Sequence, residues 1–352
     1  MFSIDPDIRR ASTPPPRVYT DPAVLTAEQS TVFAKSWQLV ARADQLAEHG
    51  SQIVAELAGH SIVLTRDRQT LRGFHNVCRH RAGPVATGCS VRKTLQCRYH
   101  GWTYGLDGAL LRAPEMAEAQ GFDLSDYSLA KISVAQWGPL IFAALNPACE
   151  LSEWLPQAPT QPLSYVMRRD YELDCNWKVY VDNYLEGYHI PIVHPELHKE
   201  LDYDAYRTVV DRYWSRQYAP LRPLKGDVST RTYQPELQDG DSDYYWVFPN
   251  LMLNIYQGQL QTNVVVPLGP GRTRVEFEWF ASEPPDDPAT DARWKQLVEF
   301  SDLVQQQDTD ICEHVQRNLA SPACAPGRYS PRRENGVHHF HRLLGEFLQP
   351  ME

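Results

Sequence analysis

Cys78-Arg-His80 and Cys97-Arg-Tyr-His100 form the two ends of the segment that decides the fold, CRHRAGPVATGCSVRKTLQCRYH. Each end carries one thiol and one imidazole within a short turn, and about one hairpin's length of chain separates the two turns. Glycines and a proline within the segment allow the backbone to bend around a bound group. Four metal-ligating side chains in this order predict a metal centre rather than four unrelated core residues.

The ligand set is compatible with two kinds of centre. A Rieske [2Fe–2S] cluster takes two thiolates on one iron and two imidazoles on the other, and each mixed turn supplies one ligand of each kind. A Cys₂His₂ zinc site uses the same residue types, but zinc sites more often keep the cysteines and the histidines in separate pairs. The mixed pairing favours the cluster, with four ligands: Cys78, His80, Cys97 and His100.

The cluster segment is basic within an acidic chain. Five Lys or Arg residues and no acidic residue lie between Cys78 and His100, whereas the whole chain has a net charge of −10. Positive charge beside a cluster stabilises its reduced form and attracts an acidic electron donor, although an ordinary solvated surface has the same composition. The acidic chain as a whole predicts no nucleic-acid partner and no binding to an anionic membrane.

A second group of metal ligands lies near the middle of the chain. Asp182, Glu186 and His189 are spaced as on one face of a helix, which Pro191 should end or kink. His194 then follows on a turn and can approach His189. Two imidazoles and one carboxylate make the facial triad that binds non-heme iron(II) and leaves positions open for oxygen.

The carboxylate of such a triad is sought in the last long helix, predicted from about Thr290 to Leu319. Asp308 falls inside the apolar stripe of this helix, whereas Asp310 points away from it. A buried carboxylate needs a partner, either a metal or an ordinary backbone or Arg donor. We predict Asp308 as the third iron ligand and Asp310 as solvated. The stripe consists of Leu297, Phe300, Val304, Ile311 and Val315.

The changing texture of the sequence predicts three parts. Residues 1–38 read as an N-terminal arm and a helix, from about Thr26 to Trp37, that packs on the catalytic domain. Residues 39–150 contain short β-rich runs between Gly and Pro turns and form the Rieske domain. Residues 151–352 form the catalytic mononuclear iron domain, in which Asn263–Phe280 reads as a hairpin with one buried face.

The compartment is predicted from absent signals. The N-terminal sequence has no apolar signal-peptide segment, and no stretch approaches about 18 uninterrupted apolar residues. We therefore expect a cytoplasmic protein with reduced thiols and no membrane partner.

The two motifs together resemble the α subunits of Rieske non-heme iron oxygenases, in particular choline monooxygenase with its carnitine- and betaine-oxidising relatives. The resemblance covers most of the chain; it is most specific at the cluster motif and less specific for the substrate. It rests on eight stretches: Phe33–Trp37, Phe74–Arg81, Tyr99–Trp102, Val181–Leu185, Phe248–Asn254, Thr262–Gly269, Cys312–Arg317 and His338–His341.

The resemblance implies a role for each matched residue. The cluster ligands are Cys78, His80, Cys97 and His100, and the iron ligands are His189, His194 and Asp308. Glu186 matches the acidic residue that, in this family, hydrogen-bonds an iron-ligating histidine and a cluster histidine of the neighbouring subunit. In this sequence those would be His189 and His100. A ring-shaped homotrimer is implied, because the cluster of one subunit would then serve the iron of the next.

The implied fold class is α+β, with an all-β Rieske [2Fe–2S] domain and a catalytic domain that has an antiparallel sheet and covering helices. The implied reaction is O₂-dependent hydroxylation, with oxidation or N-dealkylation, of a small quaternary-ammonium or N-methylated substrate such as choline, carnitine or betaine. The implied cofactors are one [2Fe–2S] cluster and one mononuclear Fe(II) per chain. No G-x-G-x-x-G stands between a predicted strand and helix, so electrons from NAD(P)H require a separate flavin/iron–sulfur reductase.

Two alternative functions stay open. An aromatic-ring hydroxylase or O-demethylase of the same family would have an apolar pocket. A Rieske electron carrier without a catalytic iron would not need His189, His194 or Asp308. Nine aromatic residues could cage an ammonium group by cation–π attraction or be ordinary strand-face core: Tyr203, Tyr206, Tyr213, Trp214, Tyr244, Tyr245, Trp246, Phe248 and Tyr256.

Overall fold

The computed structural model describes residues 2–157, 162–220, 222, 242–256, 258–282 and 288–349. These residues form two compact units. The β unit comprises Gln29–Leu151, and the large unit comprises the remaining described residues, including those up to Glu28. Most of the predicted N-terminal arm therefore belongs to the large unit.

The β unit contains a seven-stranded antiparallel sheet and a three-stranded sheet. The larger sheet has the order β1-β10-β9-β4-β3-β2-β5, and the smaller one has the order β6-β7-β8. The strands are β1 Gln38–Arg42, β2 Ser51–Leu57, β3 His60–Asp67, β4 Thr70–His75, β5 Cys89–Val91, β6 Thr94–Gln96, β7 Thr103–Gly105, β8 Leu110–Arg112, β9 Lys131–Trp137 and β10 Leu140–Ala144. Three short 3₁₀ turns accompany them: Phe33–Lys35, Asp44–Leu46 and Leu124–Tyr127.

The large unit is built on a second seven-stranded antiparallel sheet, in which β12 to β17 follow one another and β11 pairs with β17 at the edge. The predicted hairpin is confirmed as β16 and β17, and Val275, Phe277 and Trp279 are buried on one face. The strands are β11 Ser164–Leu173, β12 Arg207–Val210, β13 Trp214–Ala219, β14 Ser242–Val247, β15 Leu251–Tyr256, β16 Gln259–Gly269 and β17 Arg272–Ala281.

Helices complete the described fold, and one of them packs on the sheet by specific polar contacts. Arg169 and Tyr171 of β11 both donate to Asp302 of the long helix α7, so this face of the sheet is the one that α7 covers. The helices are α1 Arg17–Thr20, α2 Pro22–Thr31, α3 Leu151–Trp154, α4 Trp177–Tyr184, α5 Ile190–Val193, α6 Pro195–Glu200, α7 Pro288–Leu319 and α8 Asn335–Leu348. The predicted α+β class is confirmed.

Two sequence-based helix predictions differ from the structure. The helix expected over Thr26–Trp37 is α2, which begins at Pro22 and ends at Thr31. The helix expected to run through Asp182 to His189 ends at Tyr184, because the chain turns at Leu185 to His189 before α5 begins. Pro191 lies in the first turn of α5, where its missing N–H costs no hydrogen bond.

Charged and polar groups in the core anchor α4. Lys178 and Glu28 are both fully buried, with the ammonium 2.8 Å from Glu28 Oε1. Trp177 Nε1 donates to the other carboxylate oxygen of Glu28 at 2.8 Å. One turn later, Asp182 accepts a hydrogen bond from Tyr19 at 2.7 Å. These contacts fix the helix that leads into the loop with the predicted metal ligands.

Among the described residues, we find no helix whose length and apolar content would let it cross a membrane.

Candidate active site

The two cysteine–histidine turns of the β unit have the same backbone geometry. In each, the amide four residues after the cysteine donates to the cysteine carbonyl: Ala82 to Cys78 and Gly101 to Cys97, both at 3.0 Å. Ala82 and Gly101 have positive φ angles of 59° and 74°. Each cysteine amide in turn donates to a carbonyl five residues ahead, and these carbonyls belong to Gly83 and Trp102. Two equivalent turns therefore face each other.

The thiols and the imidazoles of these turns lie in different environments. The thiols of Cys78 and Cys97 are buried, whereas His80 and His100 are exposed with their Nδ1 atoms 3.1 Å apart. A Cβ on Gly83 would lie 2.8 Å from Cys97 Sγ, so only glycine lets the turns approach this closely. Two inner thiols and two outer imidazoles fit a cluster that has two thiolates on one iron and two imidazoles on the other.

The electrostatics of the turns favour bound metal. Burial raises the pKa of the Cys97 thiol, so a bound metal cation would favour the thiolate over the thiol. Desolvation, His80 and Arg81 lower the pKa of His100, which favours the neutral imidazole that binds a metal. The Tyr104 hydroxyl lies 3.2 Å from Cys78 Sγ, where a hydrogen bond to sulfur would influence the cluster potential.

Three predicted ligands of the large unit come together. One ligand atom from each of His189, His194 and Asp308 lies within 4.8 Å of the other two. His189 immediately precedes α5, His194 separates α5 from α6, and Asp308 lies in α7. The turn after Tyr184, rather than one continuous helix, brings the two imidazoles to the same place.

The orientation of the rings fits a metal between them. His189 Nδ1 lies 2.6 Å from Glu186 Oε1, and His194 Nδ1 lies 2.7 Å from Gln307 Oε1. A proton on each Nδ1 leaves the lone pair of each Nε2 for a metal. The two Nε2 atoms lie 3.8 and 2.9 Å from Asp308 Oδ1, respectively. Two neutral nitrogens and one carboxylate oxygen are the donor set of a non-heme iron(II) site.

Asp308 lies on α7 between the face that is buried in the structure and the apolar stripe predicted from the sequence. The buried face consists of Trp294, Val298, Gln305 and Cys312. The predicted stripe was therefore wrong in its C-terminal part, because Ile311 and Val315 are exposed. At 100° per residue, Asp308 lies next to both the observed buried face and the predicted stripe. Its predicted inward direction therefore agrees with the structure, although the predicted stripe does not. Asp310 is exposed, as predicted.

The Asp308 carboxylate is held by neighbouring polar groups. Asn183 Nδ2 donates to Asp308 Oδ1 at 2.7 Å. Burial acts to lower the pKa of His194, but hydrogen bonding and charge from Asp308 outweigh burial, and the pKa lies above its ordinary value. Without a metal, the positive charge of protonated His194 balances the negative charge of Asp308. A bound metal would replace the proton between His194 and Asp308.

Glu186 is oriented by its own loop. Its Oε2 accepts hydrogen bonds from the backbone amides of Tyr188 and His189, and its Oε1 faces the His189 ring. Its side chain is only 13% exposed. The loop thus presents a fixed carboxylate beside one predicted iron ligand.

Two family models match the chain. The Rieske [2Fe-2S] domain matches residues 36–131, and the ring hydroxylating alpha subunit (catalytic domain) matches residues 161–349, more than half of the chain. The chain belongs to the Rieske ring-hydroxylating oxygenases. The resemblance expected from the sequence is thereby confirmed, and this Rieske oxygenase is an oxidoreductase.

Individual relatives cover nearly the whole Rieske oxygenase chain. Chloroplastic choline monooxygenase of Arabidopsis thaliana is 38% identical over 99% of this chain and 86% of its own length. The carnitine monooxygenase oxygenase subunit of Escherichia coli K12 is 29% identical over 97% of this chain and 95% of its own length. The solved structure of CntA, a quaternary ammonium Rieske monooxygenase, superposes with a TM-score of 0.81 at 26% identity over 96% of both chains.

Most of the aromatic residues considered for a cage have other neighbours in this Rieske oxygenase. Trp246 and Phe248 are fully buried core residues, and the ring of Tyr213 stacks on Trp154 at 4.0 Å. The guanidinium of Arg333 covers the ring of Tyr203 at 3.9 Å. Trp214 pairs with Tyr245, and the side chain of Tyr256 lies outside the described residues.

Two of the aromatic residues pack on a small apolar cluster that includes a sequence neighbour of a predicted iron ligand. The cluster consists of Ile190, which directly follows His189, and Leu201, and both Tyr206 and Tyr244 pack against it. The Tyr206 ring lies over Gly187, where a Cβ would approach ring atoms to 2.7 Å. These two rings are the members of the predicted set that remain candidates for contact with a substrate.

Three residues of the site were not found from the sequence. These are Tyr104 beside Cys78, Asn183 beside Asp308 and Gln307 beside His194. Tyr104 and Gln307 belong to no recognised motif, and Asn183 lies in the matching stretch Val181–Leu185 but was given no role there. Asn183 and Gln307 are sequence neighbours of predicted site residues. The position of a residue in a helix does not by itself show which neutral side chain hydrogen-bonds a predicted metal-binding residue.

Proposed function

We propose that this Rieske oxygenase is the oxygenase component of a two-component monooxygenase that hydroxylates a small quaternary-ammonium or N-methylated substrate with O₂. Electrons come from NAD(P)H through a separate flavin/iron–sulfur reductase. The observation that carries the proposal is the convergence of His189, His194 and Asp308 within 4.8 Å in a chain that also has the paired cysteine–histidine turns. An electron carrier without a catalytic iron would not require that convergence.

Each predicted ligand has a defined task. Cys78, Cys97, His80 and His100 would hold one [2Fe–2S] cluster, and His189, His194 and Asp308 would hold one Fe(II). The cluster would supply electrons one at a time, and the iron would supply a place where O₂ is activated. With a proton on Nδ1, His189 would donate a hydrogen bond to Glu186, and His194 would donate one to Gln307. The chain thus keeps both Nε2 atoms directed at one point before any metal binds.

A homotrimer that joins the cluster of one subunit to the iron of the next is part of the proposal. Exposed apolar side chains flank both sites: Val77 and Tyr99 near the cluster histidines, and Tyr188 and Ile192 near Glu186 and His189. Ile192 is 84% exposed in the single chain. Apolar groups beside polar redox residues are typical of a surface that another protein covers. Glu186 would then bridge His189 to His100 of the neighbouring subunit.

Glu186→Gln should slow electron transfer without emptying either metal site. The amide cannot serve as a charged acceptor for two imidazoles, so we expect oxidation of the reduced cluster by O₂ and substrate to slow by about 10- to 100-fold. Rapid-mixing absorbance of the cluster band gives this rate in a single turnover. The control is Glu196→Gln, whose exposed side chain pairs with Lys199. Unchanged oxidation in Glu186→Gln would argue against the bridge.

The substrate class follows from the relatives and from the site. Choline monooxygenase and carnitine monooxygenase are named for quaternary-ammonium substrates, and CntA has been solved with L-carnitine and with gamma-butyrobetaine. In this chain, Tyr206 and Tyr244 pack on the cluster of Ile190 and Leu201, and Ile190 directly follows His189, so their aromatic faces would be able to attract an ammonium group there. The competing aromatic-ring hydroxylase or O-demethylase would use the same faces for stacking.

A substrate screen tests the proposal. The protein, supplied with iron and a compatible reductase, is offered choline, carnitine, glycine betaine and simple aromatic compounds, and O₂ uptake and hydroxylated products are measured together. We expect products from at least one ammonium compound and none from the aromatics. Product from an aromatic compound alone would favour the alternative function. O₂ uptake without product identifies uncoupled reduction and supports neither substrate class.

A further inference from the structure

The two imidazoles of the predicted iron site differ in what holds their outer nitrogen. His189 Nδ1 faces the carboxylate of Glu186, whereas His194 Nδ1 faces the neutral amide of Gln307. The distances are nearly equal, 2.6 and 2.7 Å. The site therefore pairs one charged acceptor and one neutral acceptor with two otherwise similar ligands.

His194 depends on its few neighbours for its orientation. Its side chain is only 3% exposed. Its ring nitrogens have two polar side-chain partners among the described residues, Gln307 at Nδ1 and Asp308 at Nε2. When Nε2 serves as the metal ligand, the proton that remains on the ring is on Nδ1, where Gln307 Oε1 lies within hydrogen-bond distance to accept it. Without that acceptor, the proton can move to Nε2, where it hydrogen-bonds Asp308 and competes with a metal.

The position of Gln307 in the helix links the hydrogen bond to His194 with the carboxylate ligand Asp308. Gln307 and Asp308 are consecutive residues of α7, so one turn of the helix supplies both the acceptor for His194 and the third ligand. Asn183 fixes Asp308 from α4. A small movement of α7 would therefore displace the ligand and the acceptor together.

We propose that Gln307 is a positioning residue that fixes the metal-binding tautomer of His194 without adding a negative charge to the site. Glu186 and Asp308 already supply two carboxylates, which balance one Fe(II). A third carboxylate at position 307 would keep the tautomer but make the occupied site anionic, which stabilises the more oxidised iron. The inference rests on the iron site of the proposed function.

The test compares Gln307→Leu with Gln307→Glu. Leucine removes the acceptor and keeps the approximate volume, so we expect the dissociation constant for Fe(II) to rise by about 10- to 100-fold. An ionised glutamate retains an oxygen that accepts a hydrogen bond from His194 Nδ1. Unlike the glutamine amide, it has no N–H group that it could turn towards the ring. We expect it to bind Fe(II) at least as tightly as wild type and to have a lower Fe(III)/Fe(II) potential. A merely space-filling Gln307 would not produce this rescue.

The probe is ⁵⁷Fe(II), added under anaerobic conditions to protein that keeps its cluster but has been stripped of mononuclear iron. Equilibrium dialysis gives the dissociation constant, and the isotope separates added iron from cluster iron. The matched control is Gln306→Leu, because Gln306 is exposed and its side-chain amide donates to Asp310. Wild-type affinity in Gln307→Leu, or equal weakening in Gln307→Glu, would overturn the inference. Wild type that takes up no ⁵⁷Fe(II) would instead contradict the iron site itself.

Discussion

Asp308→Ala should remove the mononuclear iron and abolish substrate hydroxylation while the cluster remains. In the proposed iron site, Asp308 would supply the carboxylate that completes the triad with His189 and His194, and alanine offers no ligand atom. We expect about three irons and two acid-labile sulfides per chain in the wild type, and about two irons and two sulfides in the variant. Product formation should fall to background, because a cluster alone offers no open position to O₂.

Asp310→Ala is the matched control for this experiment. Asp310 lies in the same helix, is exposed and accepts a hydrogen bond from Gln306 at 2.8 Å. Its removal should leave the iron content and the activity unchanged. About two irons in both wild type and Asp308→Ala, after iron reconstitution, would leave an electron carrier as the better interpretation. Iron and sulfide assays on anaerobically purified proteins decide between the two.

Lys178→Met should strongly destabilise the large unit. The substitution removes the ammonium that faces the Glu28 carboxylate, which has no solvent exposure, and leaves Trp177 Nε1 as a neutral donor to it. Removing one partner of a buried ion pair costs about 3–5 kcal/mol of unfolding free energy. Urea denaturation followed by the fluorescence of the buried tryptophans measures this loss. Reduced iron retention is expected as well, since α4 carries Asn183.

A double variant and a surface control make the result specific. Glu28→Gln combined with Lys178→Met removes the uncompensated charge, so it should regain much of the lost stability. Lys199→Met breaks a pair of similar length, 2.7 Å to Glu196, but both side chains are largely exposed. Its expected change lies within about 0.5 kcal/mol. A Lys178→Met protein as stable as Lys199→Met would show that the buried pair contributes nothing.

The cluster turns were predictable from the sequence because their information is local. A thiol and an imidazole two or three residues apart must share one turn, and the two turns proved to have the same hydrogen bonds. The alternation of Val275, Phe277 and Trp279 with charged residues likewise fixed the buried face of β17. In both places, covalent spacing limits the geometry before any tertiary contact forms.

The proposed iron site was predictable only in its residue types. His189 and His194 were identified correctly as neighbours, yet the expected continuous helix ends at Tyr184. Helical spacing favoured continuation, whereas the structure bends the chain so that Glu186 can accept two backbone amides of its own loop. Asp308 was selected by a stripe whose C-terminal part is exposed, because periodicity shows that a helix has two sides but not which side is covered.

By itself, the sequence determined which thiols, imidazoles and carboxylates are available to bind metal, and which of them lie within one turn of each other. Tertiary structure alone decided the partners of His194 and Asp308, since Gln307 lies 113 residues from His194 and Asn183 lies 125 residues from Asp308. It also decided which aromatic rings remain near the site and which are core. Local spacing limits which side chains can lie near each other along the chain. A protonated ring nitrogen, by contrast, donates to the acceptor that tertiary packing brings within hydrogen-bond distance.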